Sequence, residues 1–274
     1  MKTYSILLTG LLLCNVQAHA LTLTIDGSLG DWGINPANWL PADPRIQYKI
    51  EDQTGAASNY YLGPGWGGQA YDAEALYAVI LSNRLYVALV TGHDPRTVHN
   101  PAANSFGAGD FFIDFGKNGS YELAVNVNHR LPSGFETGFV EGGVYRVTSH
   151  ALGLFNEVDP DYPVSPAYRP TYLTAGTYLG MAQLAYTTSP VTGWGARPSD
   201  PHYIYEWSVG LDLLQAAGWD GRSAFNIHWT MNCANDTIWL TSPVPQRVPE
   251  PATLALLPLG LAGLLSLRRR TRPL

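Results

Sequence analysis

Cysteine is almost missing from this 274-residue chain. There are two, Cys14 and Cys233, and Cys14 falls in an apolar N-terminal stretch that reads as a removable leader. With Cys233 alone remaining, no intramolecular disulfide is available, so stability must come from core burial or a bound metal. Lysine is scarce too, with three in the chain, and charged residues make up only 14%. The charge is also unevenly placed. Residues 21–251 hold all 22 acidic residues and 11 of the 16 basic ones, leaving about −11 there. A field of that sign argues against nucleic acid as a partner. Enzyme signatures are missing as well: there is no H-E-x-x-H, no G-x-S-x-G and no C-x-x-C.

Glycine, proline, tryptophan and tyrosine are plentiful instead, a loop-rich and aromatic β composition. Residues 21–25 alternate apolar residues with Thr and read as a short strand. Residues 71–80 and 85–91, split by Ser82-Asn83-Arg84, predict a hairpin. Residues 111–115 and 121–127 predict a second hairpin around Gly116-Lys117-Asn118-Gly119-Ser120. Further strands are expected over 139–147, 178–186, 203–209 and 225–231, with one two-turn helix over 211–217 ended by Gly218. Residues 159–170 carry four prolines and read as a surface loop. Many short strands without helical alternation argue an all-β, antiparallel β-sandwich.

The two ends carry addresses. Lys2, the apolar run Ile6 to Leu13 and Ala18-His19-Ala20 fit a signal peptide over 1–20. Leu13 stands where a lipoprotein signal needs a small residue, so no lipid anchor is expected. Ala252 to Leu267 is sixteen uncharged residues, about 24 Å as a helix against a hydrocarbon core of roughly 30 Å. Pro258 within it is tolerated better in membrane than in soluble helices. Arg268, Arg269, Arg270 and Arg272 follow and should stay cytoplasmic, with the bulk of the chain outside. Pro249-Glu250-Pro251 precedes the run. The motif, the apolar helix and the basic tail, in that order, resemble the PEP-CTERM sorting signal. The resemblance implies an exosortase, a membrane protease-transpeptidase, as partner, with Pro249, Glu250, Pro251, Arg268, Arg269 and Arg270 as sorting residues. The expected organisation is a signal peptide (1–20), the sandwich (21–241), a proline-rich linker (242–251), a transmembrane helix (252–267) and a basic tail (268–274).

Ile25-Asp26-Gly27-x-Leu29-x-Asp31-Trp32 opens the exported part. Leu85-Tyr86-Val87-Ala88, Gly109-Asp110, Tyr205-Glu206-Trp207-Ser208-Val209 and Leu211-Asp212-Leu213-Leu214 follow it. In that order they resemble the family-9 carbohydrate-binding modules and DOMON domains, β-sandwiches that imply a non-catalytic ligand module. Sugar stacks on flat aromatic rings, and Trp66 and Trp194 stand in glycine-rich loops suited to that. The alternative is that they fold back as caps. Trp32, Trp207 and Trp229 are expected in the core. Asp110, Asp114 and Asn118 bring oxygen ligands near one turn and are candidates for a structural Ca²⁺, the alternative being turn and edge residues.

Glu74, Glu122 and Glu206 all fall in predicted strands, where two facing one cleft would suit glycoside hydrolysis. The plainer expectation is solvent-facing strand residues. His93 and His99, with Asp94, read as a solvated loop, and Cys233 as a buried thiol. Met181 and Met231 offer no clear axial pair for haem. Together these imply a non-enzymatic exported protein, transiently anchored by its tail and delivered to the envelope or extracellular matrix, whose partner would be extracellular polysaccharide. A glycan-processing enzyme on the same scaffold and a purely structural surface protein are the alternatives.

Overall fold

The computed structural model describes residues 21–51, 67–127, 129–153 and 169–242. The strands are β1 (Gln47–Ile50), β2 (Ala73–Leu81), β3 (Arg84–Thr91), β4 (Phe111–Asp114), β5 (Leu123–Val125), β6 (Arg130–Leu131), β7 (Gly134–Phe135), β8 (Gly143–Leu152), β9 (Pro170–Met181), β10 (Gln183–Tyr186), β11 (Tyr203–Gly210), β12 (Asn226–Thr230) and β13 (Thr237–Thr241). Among the described residues one α-helix, α1 (Leu211–Ala217), follows β11. Five strands form one antiparallel sheet in the order β1-β2-β3-β11-β10. Six form a second, β13-β12-β4-β5-β8-β9, and β6 with β7 makes a separate two-stranded hairpin.

Period-two alternation builds the core between the sheets. Leu76, Ala78, Leu85, Val87, Leu89, Tyr205 and Trp207 face inward from the first sheet. Phe111, Ile113, Leu123, Val125, Ile227 and Trp229 meet them from the second. The residues between these are apolar as well: Ala75, Tyr77, Val79, Ala88 and Val90 form another buried cluster with Leu23, Leu29, Trp32, Trp39 and Ile46. The N-terminal segment therefore lies over the outer face of the first sheet as a third layer. Fully burying such a side chain is worth about 1.5–3 kcal/mol, which explains why β2 is apolar on both faces.

The β2–β3 hairpin forms as expected. Ser82 and Asn83 both hold positive φ, 46° and 65°, the two-residue turn whose twist matches the strands. The β4–β5 hairpin, β11, β12 and α1 also lie where the sequence placed them, and Trp32, Trp207 and Trp229 are fully buried. Other expectations need correction. Residues 21–25 form no strand; they cover a sheet rather than pair with it. The run 178–186 is two strands, since the chain crosses between sheets at Ala182, and the strand expected at 139–147 runs from Gly143 to Leu152. Pro170 opens β9 rather than closing a loop; residues 154–168 lie outside the described part. Among the described residues no helix is long and apolar enough to cross a membrane, and the stretch 252–267 falls outside them.

Candidate functional site at the Asp110 end

The register separates the two ends of the sandwich. Asn226 pairs with both Asp114 and Thr241, so the end of β4 and the end of β13 lie together. The chain continues from there, through Ser242, toward its C-terminal segment. Asp110 precedes β4 and lies at the opposite end, with Thr230 and Thr237. There the Ala73 N–H donates to Asp236 Oδ2 at 2.5 Å and ties the two sheets together.

Asp110 is fully buried. Its Oδ1 accepts the Val127 N–H at 2.7 Å and its Oδ2 accepts the Leu173 N–H at 2.7 Å, while the Asn126 amide donates at 3.3 Å. Burial pushes the carboxyl up to about 7, against the pull of those donors. His129 stands beside it, Nε2 3.6 Å from Asp110 Oδ1 and Nδ1 3.4 Å from Glu136 Oε2. Burial lowers the His129 pKa and raises that of Glu136. The Tyr172 ring meets His129 edge-on at 5.0 Å.

A cleft of about 290 Å³ opens in front of this cluster, lined by Arg96, Arg130, Phe135, Glu141, Tyr186 and Thr187 among others. Val127 is shared: its backbone holds Asp110 and its surface forms part of the cleft wall. Phe135 is 55% exposed, and the Arg130 guanidinium lies 5.3 Å from the centroid of its ring. Arg96 is clamped by Asp94 through two charge-assisted hydrogen bonds. Burial raises the Tyr186 phenol well above its usual range, with Glu141 adding to the shift. The cleft thus offers one exposed aromatic face, hydroxyls, and groups of both charges.

A second polar cluster lies near the start of β2. Gln69 Nε2 donates to Glu74 Oε1 at 2.6 Å, and His202 Nε2 is 3.3 Å from the same oxygen. Trp39 packs edge-on to His202, and Trp194 stacks against Trp39 with centroids 5.1 Å apart. Trp194 is half-buried, with one face covered by Trp39. Trp66 lies outside the described residues.

Asp110, Asp114 and Asn118 are not brought together. Asp110 and Asp114 stand at opposite ends of β4, about 13 Å apart on an extended strand. Asp114 accepts the Gly119 N–H and Asn118 the Ser120 N–H, so both close the hairpin at the C-terminal exit. Among the described residues no three His, Cys, Asp or Glu side chains converge to hold a metal ion.

Glu206 is no solvent-facing strand residue. It accepts Trp32 Nε1 at 2.7 Å and the Asp26 and Gly27 N–H groups at 2.9 Å each. Glu122 accepts the Phe115 N–H. His93 is buried rather than solvated, its Nδ1 against Ala70 O at 2.9 Å, and half-buried His99 packs against Phe106 and Tyr172. Cys233 is buried as expected, its thiol pushed up to about 12. Sequence reasoning missed His129, Arg130, Phe135 and Glu136, because two-residue strands leave no periodic pattern.

Residues 247–270 match the PEP-CTERM protein-sorting motif. The match covers Pro249, Glu250, Pro251 and Arg268 to Arg270, all outside the described residues. No curated protein and no solved structure matches the chain.

Proposed function

We propose that this exosortase-sorted exported protein is a non-catalytic glycan-binding module, of the family-9 or DOMON type, destined for the envelope or extracellular matrix. Export, sorting and transient anchoring by the C-terminal region follow from the motif at 247–270. Binding rests on one observation, the cleft with the exposed Phe135 ring beside the Arg130 and Glu141 side chains. A sugar face stacks on such a ring while its hydroxyls meet polar groups at the rim. The module type is supported by Glu206, which joins two of the quoted motifs: it sits in Tyr205-Glu206-Trp207 and holds Asp26, Gly27 and Trp32. The non-catalytic reading is supported by the buried acids. Asp110 and Glu206 spend their oxygens on N–H groups of the fold rather than facing a reacting bond.

The test is a calorimetric titration of the exported protein against a panel of surface polysaccharides. Saturable binding is expected, weakened about tenfold or more by Phe135→Ala at unchanged thermal stability, because that ring is mostly exposed. Trp194→Ala probes the second cluster in the same way. A flat titration with every glycan contradicts the binding reading. Hydrolysis of a bound glycan moves the protein to the enzyme alternative.

A further inference from the structure

The four edges of the two sheets are not equally protected. β1 is four residues long and carries Lys49, paired with Glu51 at 3.3 Å. β10 also has four residues. β13 has five, four of them buried or half-buried. β9 differs from all of these. It runs twelve residues, Pro170–Met181, pairs as a strand only with β8 among the described residues, and holds no Asp, Glu, Lys or Arg. Register shifts beside Ala175 and beside Tyr178 bracket a regular stretch in which Gly176, Thr177 and Tyr178 face Val147, Arg146 and Tyr145 of β8. An edge strand presents alternate main-chain N–H and C=O groups away from its neighbour, and Gly176 to Tyr178 are exposed. Tyr178 is 51% and Met181 49% exposed, with Val140 at 51%.

We propose that β9 pairs antiparallel with β9 of a second copy of this chain, about a two-fold axis at Thr177. The choice of a second copy rests on self-complementarity. With Thr177 opposite Thr177, the Tyr178 of each copy falls opposite the other's Gly176. Thr–Thr pairs and an aromatic ring over glycine are favourable cross-strand arrangements. The charge pattern agrees. Each exported copy carries about −11, and an uncharged strand lets two such copies meet without placing like charges face to face. The proline-rich linker of the chain itself is a poor occupant, since Pro243, Pro245, Pro249 and Pro251 lack N–H donors. Antiparallel pairing also turns the two copies head to tail. Their Ser242 exits then leave at opposite ends, which suits chains released from the membrane rather than two anchored side by side.

The test uses the exported protein with Thr177→Cys. Buried Cys233 does not compete for cross-linking. A disulfide-linked dimer is expected on a non-reducing gel, while Tyr48→Cys on the β1 edge stays monomeric. In sedimentation, the unsubstituted protein should show a concentration-dependent dimer. Thr177→Lys, which sets two like charges opposite each other at an exposed position, should be monomeric with an unchanged melting temperature. A monomer at every concentration overturns the proposal. So does a dimer indifferent to Thr177→Lys, or a Thr177→Cys cross-link to a different protein.

Discussion

The two ends of the sandwich bury different things. At the end where the chain leaves through Ser242, polar residues close turns: exposed Asn118 caps Ser120, exposed Asp220 gathers Arg222 and Ser223, and Asp114, the one buried member of the three, holds Gly119. At the far end Asp72, Glu74, His93, Asp110, His129, His202 and Asp236 are all buried, and the cleft opens there. Ionisable groups cost free energy to bury unless they are well bonded, so a domain selected for stability alone would put apolar residues in those places. Departures from that rule collect at working sites. The cleft thus lies at the end away from the C-terminal exit, the orientation in which a tethered domain would present it outward.

The largest effect is expected at Asp110. Asp110→Ala strands the buried Val127 and Leu173 N–H groups, and should cost about 2–5 kcal/mol by urea unfolding. Glu206→Ala removes three acceptor contacts and frees the N-terminal layer, for a loss of about 2–3 kcal/mol. Its deficit should come with new protease cuts within residues 21–46, and not at the cleft.

The pH profile sharpens the contrast with opposite slopes. The folded Asp110 carboxyl sits at about 7, above its ordinary 3.8. Its contribution to stability is complete below pH 3.8 and is lost as pH rises through 7. The His93 and His228 rings are held neutral by burial, down at about 4 and about 3. Their contribution is present above 6.5 and is lost as pH falls through those values. Unfolding free energy should therefore fall on acidification below pH 6.5, and His228→Gln should flatten that arm. The deficit of Asp110→Asn relative to the unsubstituted protein should shrink between pH 4 and pH 7. The smallest effect belongs to the exit end, where Asn118→Ala should change stability by less than about 0.5 kcal/mol.

The parts legible in the sequence are those written locally. The β2–β3 turn needed only Ser82 and Asn83, α1 only its spacing and Gly218, and the buried tryptophans only the short motifs in which they stand. Contacts between distant segments were not legible. Asp110 attracts notice as a carboxylate near a turn, yet its partner Leu173 lies 63 residues away and shares no local pattern with it. Glu206 reads as a surface strand residue until Gly27, 179 residues earlier, is folded onto it. The third layer was hidden for the same reason, since a segment that covers a sheet without pairing carries no period. Phe135, at the cleft, sits in a strand too short to register.

Hydrogen–deuterium exchange of the exported protein, with and without the polysaccharide of its host, tests the polarity of the two ends most directly. Protection is predicted over residues 130–141 and 186–188, with none at 82–84, 116–120 or 219–223. Protection at the exit end, or none anywhere at saturating polysaccharide, would contradict the account.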